Sequence, residues 1–201
     1  MKKLLLIASL ASLAAAGTVQ AAGDAEAGKA KSAACAACHG VDGNSAAPNF
    51  PKLAGQHADY TAKQLAEFKS GERKDPTMNG MAAPLSEQDM ADLAAYYASL
   101  KPSVGKAAED KVALGETVYR AGNSASGVSA CAACHGPAGN GNPMAKFPSL
   151  SGQHADYTAA QLKNFRAGAR ANDAGSMMRG IAKKMTDAEI EAVSQYIQGL
   201  H

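Results

Sequence analysis

The sequence predicts an all-α chain built as two tandem domains. Three observations carry that prediction. Blocks of sequence recur once, at offsets of 96 to 100 residues. Apolar residues near the end of each copy recur at spacings of three and four, the period of a helix face. No segment alternates apolar and polar residues over more than a few positions, as a half-buried strand would.

The first 21 residues read as a secretory signal. Met1-Lys2-Lys3 carries positive charge, Leu4 to Ala16 is an almost unbroken apolar run, and Val19-Gln20-Ala21 ends it with small residues at −3 and −1. The run is about 13 residues, short of the roughly 20 needed to span a bilayer. A mature chain starting at Ala22 and exported to a bacterial periplasm is the expectation. No later stretch is apolar enough to cross a membrane.

The repeat is read block by block. Cys35-Ala36-Ala37-Cys38-His39-Gly40 returns as Cys131-Ala132-Ala133-Cys134-His135-Gly136, at an offset of 96. Phe50-Pro51-Lys52-Leu53 returns as Phe147-Pro148-Ser149-Leu150, and Gly55-Gln56-His57-Ala58-Asp59-Tyr60 as Gly152-Gln153-His154-Ala155-Asp156-Tyr157, both at 97. Met78-Asn79-Gly80 pairs with Met178-Arg179-Gly180 at 100. Offsets change only between matched blocks, where loops accept insertions. Two copies make tandem domains; a solenoid needs at least three. The expected bounds are 22–101 and 112–201, with 102–111 as linker around Pro102 and Gly105.

Helices follow from caps and spacing. Ser86 and Thr186 read as helix starts, the second with Glu189 three residues on as a capping box. Met90, Leu93, Tyr97 and Leu100 then recur at helical spacing, as do Ile190, Val193, Ile197 and Leu200. Tyr60, Leu65 and Phe68 mark a further helix ended by Gly71. Tyr157, Leu162 and Phe165 repeat it, ended by Gly168.

Composition narrows the function. Net charge is +2 with 19% charged residues and no Lys/Arg run beyond a pair, so no nucleic-acid footprint is expected. Residues 22–101 hold 8 Lys/Arg against 10 Asp/Glu, and residues 102–201 hold 10 against 8. With no Trp, 4 Phe and 6 Tyr, large side chains fill two small cores thinly.

The four cysteines supply the reason. Each pair sits in Cys-x-x-Cys-His, the pattern for covalent attachment of c-type haem. Cysteines at i and i+3 share one face of a helical turn, so both sulfurs can join the vinyl groups along one porphyrin edge. The histidine at i+4 continues on that face toward the iron. A thiol-redox pair does not require that histidine, and zinc-ribbon pairs lie 15–20 residues apart, whereas 92 residues separate Cys38 from Cys131. Two covalent haems are expected, on Cys35, Cys38, Cys131 and Cys134, and each gives a small domain a core.

His39 and His135 are the fifth iron ligands on this reading. Among the methionines, only Met78 and Met178 match each other in the repeat, which makes them the sixth ligands in a His/Met pairing. Both are placed in irregular Gly-containing loops just before the last helix. His57 and His154 also repeat, so bis-His ligation is the rival, although the Gln-His-Ala-Asp-Tyr setting reads as a solvent-facing helix start. His201 has no counterpart. Pro51 and Pro148 are candidates to offer a carbonyl to the ligating imidazoles. Gln56, Tyr60, Gln153 and Tyr157 are candidate polar contacts near a haem edge, with surface or capping roles as the alternative.

These residues resemble the class I c-type cytochromes, and the tandem arrangement is similar to the dihaem cytochrome c4 family. The resemblance rests on Cys35–His39, Asn49–Gln56, Met78, Cys131–His135, Phe147–Gln153, Met178–Gly180 and the C-terminal Tyr196–His201. It implies two helical haem domains packed with their propionates facing each other. It also implies an electron carrier running between a quinol–cytochrome c reductase or other donor and a terminal oxidase, with loose membrane association and as a monomer. The axial methionines of that family fall on Met78 and Met178. The competing class is a dihaem peroxidase, which needs one displaceable iron ligand beside an acid/base group. Here both copies offer the same methionine.

Overall fold

The computed structural model describes residues 22–201; the signal segment lies outside them. Among the described residues there are ten α-helices and two isolated β-bridges, Asn123 to Val128 and Asn142 to Phe147. The N-terminal half has α1 (Ala25–Lys31), α2 (Ala33–His39), α3 (Ala58–Ser70), α4 (Pro76–Ala82) and α5 (Glu87–Ser99). The C-terminal half has α6 (Glu109–Ala121), α7 (Ala132–His135), α8 (Ala155–Ala167), α9 (Met177–Ala182) and α10 (Asp187–Gly199).

Local chemistry accounts for the helix ends. Ser86 and Thr186 both form complete capping boxes, the first with Asp89 and the second with Glu189. Asp24 and Asp75 accept backbone N–H groups at the starts of α1 and α4. Gly71 and Gly168 end α3 and α8 in the left-handed region at φ 79° and 73°.

In each half the first helix crosses the last. The crossing is so close that a Cβ on Gly28 would lie 2.0 Å from Asp92 O, and one on Gly115 would lie 2.3 Å from Ala192 O. Glycine is the residue that permits such backbone approach. The C-terminal core gathers Val118, Tyr119, Leu162, Ile190, Val193 and Ile197 with their neighbours; the N-terminal core comprises Leu93, Tyr96 and Tyr97. Both are small, as the thin aromatic content requires.

The segment 101–108 has no regular structure and runs along the junction. Ser103 N donates to Asn44 Oδ1 at 2.7 Å and Gly105 N to Gln198 O at 3.0 Å. It is thereby tied to both halves.

A haem-binding cleft shared by two domains

A continuous cavity of about 1380 Å³ runs between the halves. That exceeds the roughly 300–1,000 Å³ of a site for one small molecule. Cys35, Cys38, His39 and Met78 line it from one half, and Cys131, Cys134, His135 and Met178 from the other. The eight residues that the repeat singled out therefore face one space.

The histidines are positioned by loops that the prolines stiffen. His39 Nδ1 lies 2.9 Å from Pro51 O, and His135 Nδ1 lies 2.9 Å from Pro148 O. A carbonyl only accepts, so Nδ1 carries the proton and Nε2 keeps its lone pair. Burial lowers both imidazole pKa values, while the proline carbonyls act in the opposite direction. Both rings are thus neutral and able to donate to a metal. Phe50 meets His39 edge-on at 6.3 Å, and Phe147 stands at 6.2 Å from His135.

The first thiol of each pair is shielded, whereas Cys134 is exposed. Burial pushes Cys35 up, and it pushes Cys131 up to about 11. The Tyr97 hydroxyl beside Cys35 is raised far above its ordinary value, first by burial and then by that thiol. Tyr97 Oη and Thr61 Oγ1 line the cavity with no hydrogen-bond partner among the described residues.

Met78 and Met178 do not sit in irregular loops. They lie on the short helices α4 and α9. The reason for α4 was readable: Asp75 caps it, accepting from Met78 N at 3.0 Å, and Pro76 occupies its first turn. Both methionines are half-buried. Met90 is only 4% exposed in the N-terminal core and Met144 is 93% exposed. Met81, Met177 and Met185 also reach the cavity, but none of them has a methionine counterpart in the other half.

His57 and His154 are not solvent-facing. Each is half-buried and reaches into the opposite half, His57 Nε2 to Asn140 O at 2.8 Å and His154 Nε2 to Ser45 O at 2.8 Å. Neither lines the cavity. Gln56 and Gln153 likewise cross the junction. Gln56 bonds both backbone groups of Ser149, and Gln153 both of Lys52.

Sequence reasoning missed two arginines. Arg73 stacks on Phe68 at 4.5 Å and Arg170 on Phe165 at 4.5 Å. Arg73 donates to Tyr157 Oη at 2.9 Å across the junction, and Arg170 donates to Tyr60 Oη at 2.9 Å in return. Both are 7% exposed, both line the cavity, and neither has a salt-bridge partner among the described residues. Their spacing from the matched tyrosines, Tyr60 to Arg73 and Tyr157 to Arg170, is 13 residues in both copies, a signal the sequence did contain.

This donor set fits haem c. Two cysteine sulfurs, a neutral imidazole with a free Nε2 and a thioether face each side of the cavity. Two buried guanidinium groups with no carboxylate in salt-bridge contact suit an anionic group, with Glu67 acting on Arg170 only at longer range.

Comparison with known proteins agrees. The cytochrome c family model matches residues 25–101 and again 112–201. A cytochrome c4 of Azotobacter vinelandii is 53% identical, with 98% of each chain covered.

The chain belongs to the cytochrome c4 family.

The crystal structure of reduced recombinant cytochrome c4 from Pseudomonas stutzeri is similar at a TM-score of 0.87 and 54% identity, covering 90% of this chain and all of that one. A thiosulfate dehydrogenase electron acceptor of Stutzerimonas stutzeri is 42% identical, covering 81% of this chain and 77% of its own. As a cytochrome c4 family member, the chain carries two covalently bound haem c groups and transfers electrons. None of the helices among the described residues is long and apolar enough to cross a membrane.

Proposed function

We propose that this chain is a periplasmic relay, passing electrons from a quinol–cytochrome c reductase or another donor to a terminal oxidase. On this reading the first haem is held by Cys35 and Cys38, with His39 and Met78 on its iron. The second is held by Cys131 and Cys134, with His135 and Met178 on its iron. The domains are 22–101 and 112–201, preceded by a signal at 1–21, and the joining stretch 102–111 includes the first three residues of α6.

The observation that carries this reading is the duplicated imidazole. In both halves a buried neutral histidine follows two cysteines, donates its Nδ1–H to a proline carbonyl and leaves Nε2 for the cavity. Bound haem supplies the ferric–ferrous couple. The chain fixes the imidazole orientation through Pro51 and Pro148, so the donor does not rotate when charge changes. Leu53, Leu65, Leu150 and Leu162 line the same space, keep water out and lower the local dielectric. The matched methionines favour an electron carrier over a peroxidase, because neither half is specialised to open an iron position.

The donor is identified by its chemistry in the test. The kinship with a thiosulfate dehydrogenase electron acceptor makes such a dehydrogenase one of the donors to assay. The ligand assignment is tested by redox titration followed by absorbance on the wild type, Met78→Ala and Met178→Ala. Each substitution is expected to abolish half of the far-red sulfur-to-iron band and to lower one potential. A variant that keeps the full band removes its methionine from the assignment.

A further inference from the structure

The peptide that anchors each ligating histidine is itself gripped by the other domain. The carbonyl of Pro51 accepts from His39 Nδ1 at 2.9 Å. The N–H of the same peptide unit, on Lys52, donates to Gln153 Oε1 at 3.0 Å. The second half mirrors it. Pro148 O accepts from His135 Nδ1 at 2.9 Å, and Ser149 N–H of that unit donates to Gln56 Oε1 at 3.0 Å.

The glutamine amides are oriented without ambiguity. Gln153 Oε1 also accepts from His154 N at 2.9 Å, while its Nε2 donates to Lys52 O at 2.9 Å. Gln56 Oε1 accepts from His57 N at 2.9 Å, and its Nε2 donates to Ser149 O at 2.9 Å. A flipped amide would set N–H against N–H at two places.

A peptide that donates through N–H becomes a stronger acceptor at its carbonyl, because the two bonds polarise the same amide. A stronger acceptor draws the Nδ1 proton further from the imidazole and makes Nε2 a better donor. A better donor stabilises ferric over ferrous iron and lowers the potential. We infer that Gln153 sets the potential of the N-terminal haem and Gln56 that of the C-terminal haem, each acting across the junction as a positioning residue. This rests on His39 and His135 being the iron ligands. Docking of the domains and the redox poise of both irons are then one property.

Cooperative strengthening of roughly 10–30% per bond sets the scale of the effect. A change of about threefold in the ferric-to-ferrous ratio is expected, or about 28 mV at 59 mV per tenfold for one electron.

The test is a redox titration of the holoprotein at pH 7.5, each haem followed by its own shifted proton NMR signals. Gln153→Leu should raise the potential of the N-terminal haem and leave the C-terminal haem within error. Gln153→Glu loses the donor to Lys52 O, but its carboxylate accepts more strongly from Lys52 N–H, so it should lower that same potential. Gln56→Leu and Gln56→Glu should do the same to the C-terminal haem. The proposal is overturned by no shift, by Leu and Glu shifting in the same direction, or by shifts on the haem of the glutamine's own domain. If the wild type lacks the far-red sulfur-to-iron band and shows no imidazole ligand signals, the ligand assignment itself has failed. If the band survives in all four variants while the crossed shifts are missing, only the glutamine proposal has failed.

Discussion

Gly115→Ala tests the helix crossing on which the C-terminal haem pocket is built. The added Cβ would lie 2.3 Å from Ala192 O and 2.7 Å from Tyr196 Cβ. The nearer obstacle is backbone on α10, so relief requires α6 and α10 to separate by about an ångström. Overpacking of this kind costs about 1–3 kcal/mol. Alanine in the helix interior returns about 0.5–1 kcal/mol through propensity. Because the clash is with backbone, the cost falls in the upper half of that range, so the net loss is about 1–2.5 kcal/mol, which for a domain of this size lowers Tm by roughly 5–20 °C. Gly180→Ala on α9 is the control, because its Cβ meets nothing within 4 Å. It should gain about 0.5–1 kcal/mol by the same propensity argument. The assay is thermal unfolding of the holoprotein, followed in parallel by far-ultraviolet circular dichroism and by haem absorbance. If Gly115→Ala melts at or above the wild type, the close crossing is not the constraint on this position.

Two further outcomes are expected. His57→Ala and His154→Ala each remove a bond across the junction, a loss of about 1 kcal/mol. Hydrogen exchange should quicken near Asn140 and Ser45 respectively, while the far-red band stays intact; a lost band would instead make these histidines ligands. Asp92 accepts from Asp24 N at 2.9 Å and pairs with Lys31 at 2.6 Å, contacts that lower its pKa to about 2. The folded value lies below the unfolded value of about 3.9, so its contribution is present above pH 4 and lost as pH falls toward 2. Acid unfolding monitored by circular dichroism should be less steep in that window for Asp92→Asn than for the wild type, and equal slopes would show that the group does not couple to folding.

Much of the architecture was legible because it depends on neighbours in the chain. The Ser86 and Thr186 caps, the three-and-four spacing along α5 and α10, and the glycines ending α3 and α8 act within a turn or two. The attachment motif is equally local, since i, i+3 and i+4 share a face whatever surrounds them. The helix around Met78 was misread as loop even though Asp75 and Pro76 mark its start, because a seven-residue helix shows too little periodicity.

What sequence alone determined, then, is a helical chain in two copies, with cysteines and a histidine set to clasp one porphyrin in each. Tertiary structure decided how the copies meet. Gln56 and Gln153, His57 and His154, and Arg73 and Arg170 read as isolated polar residues until the halves are docked. Only then does each meet its partner in the other half, 83 to 110 positions away in the chain. No periodicity reaches over such separations, because those contacts are set by the relative placement of two folded bodies.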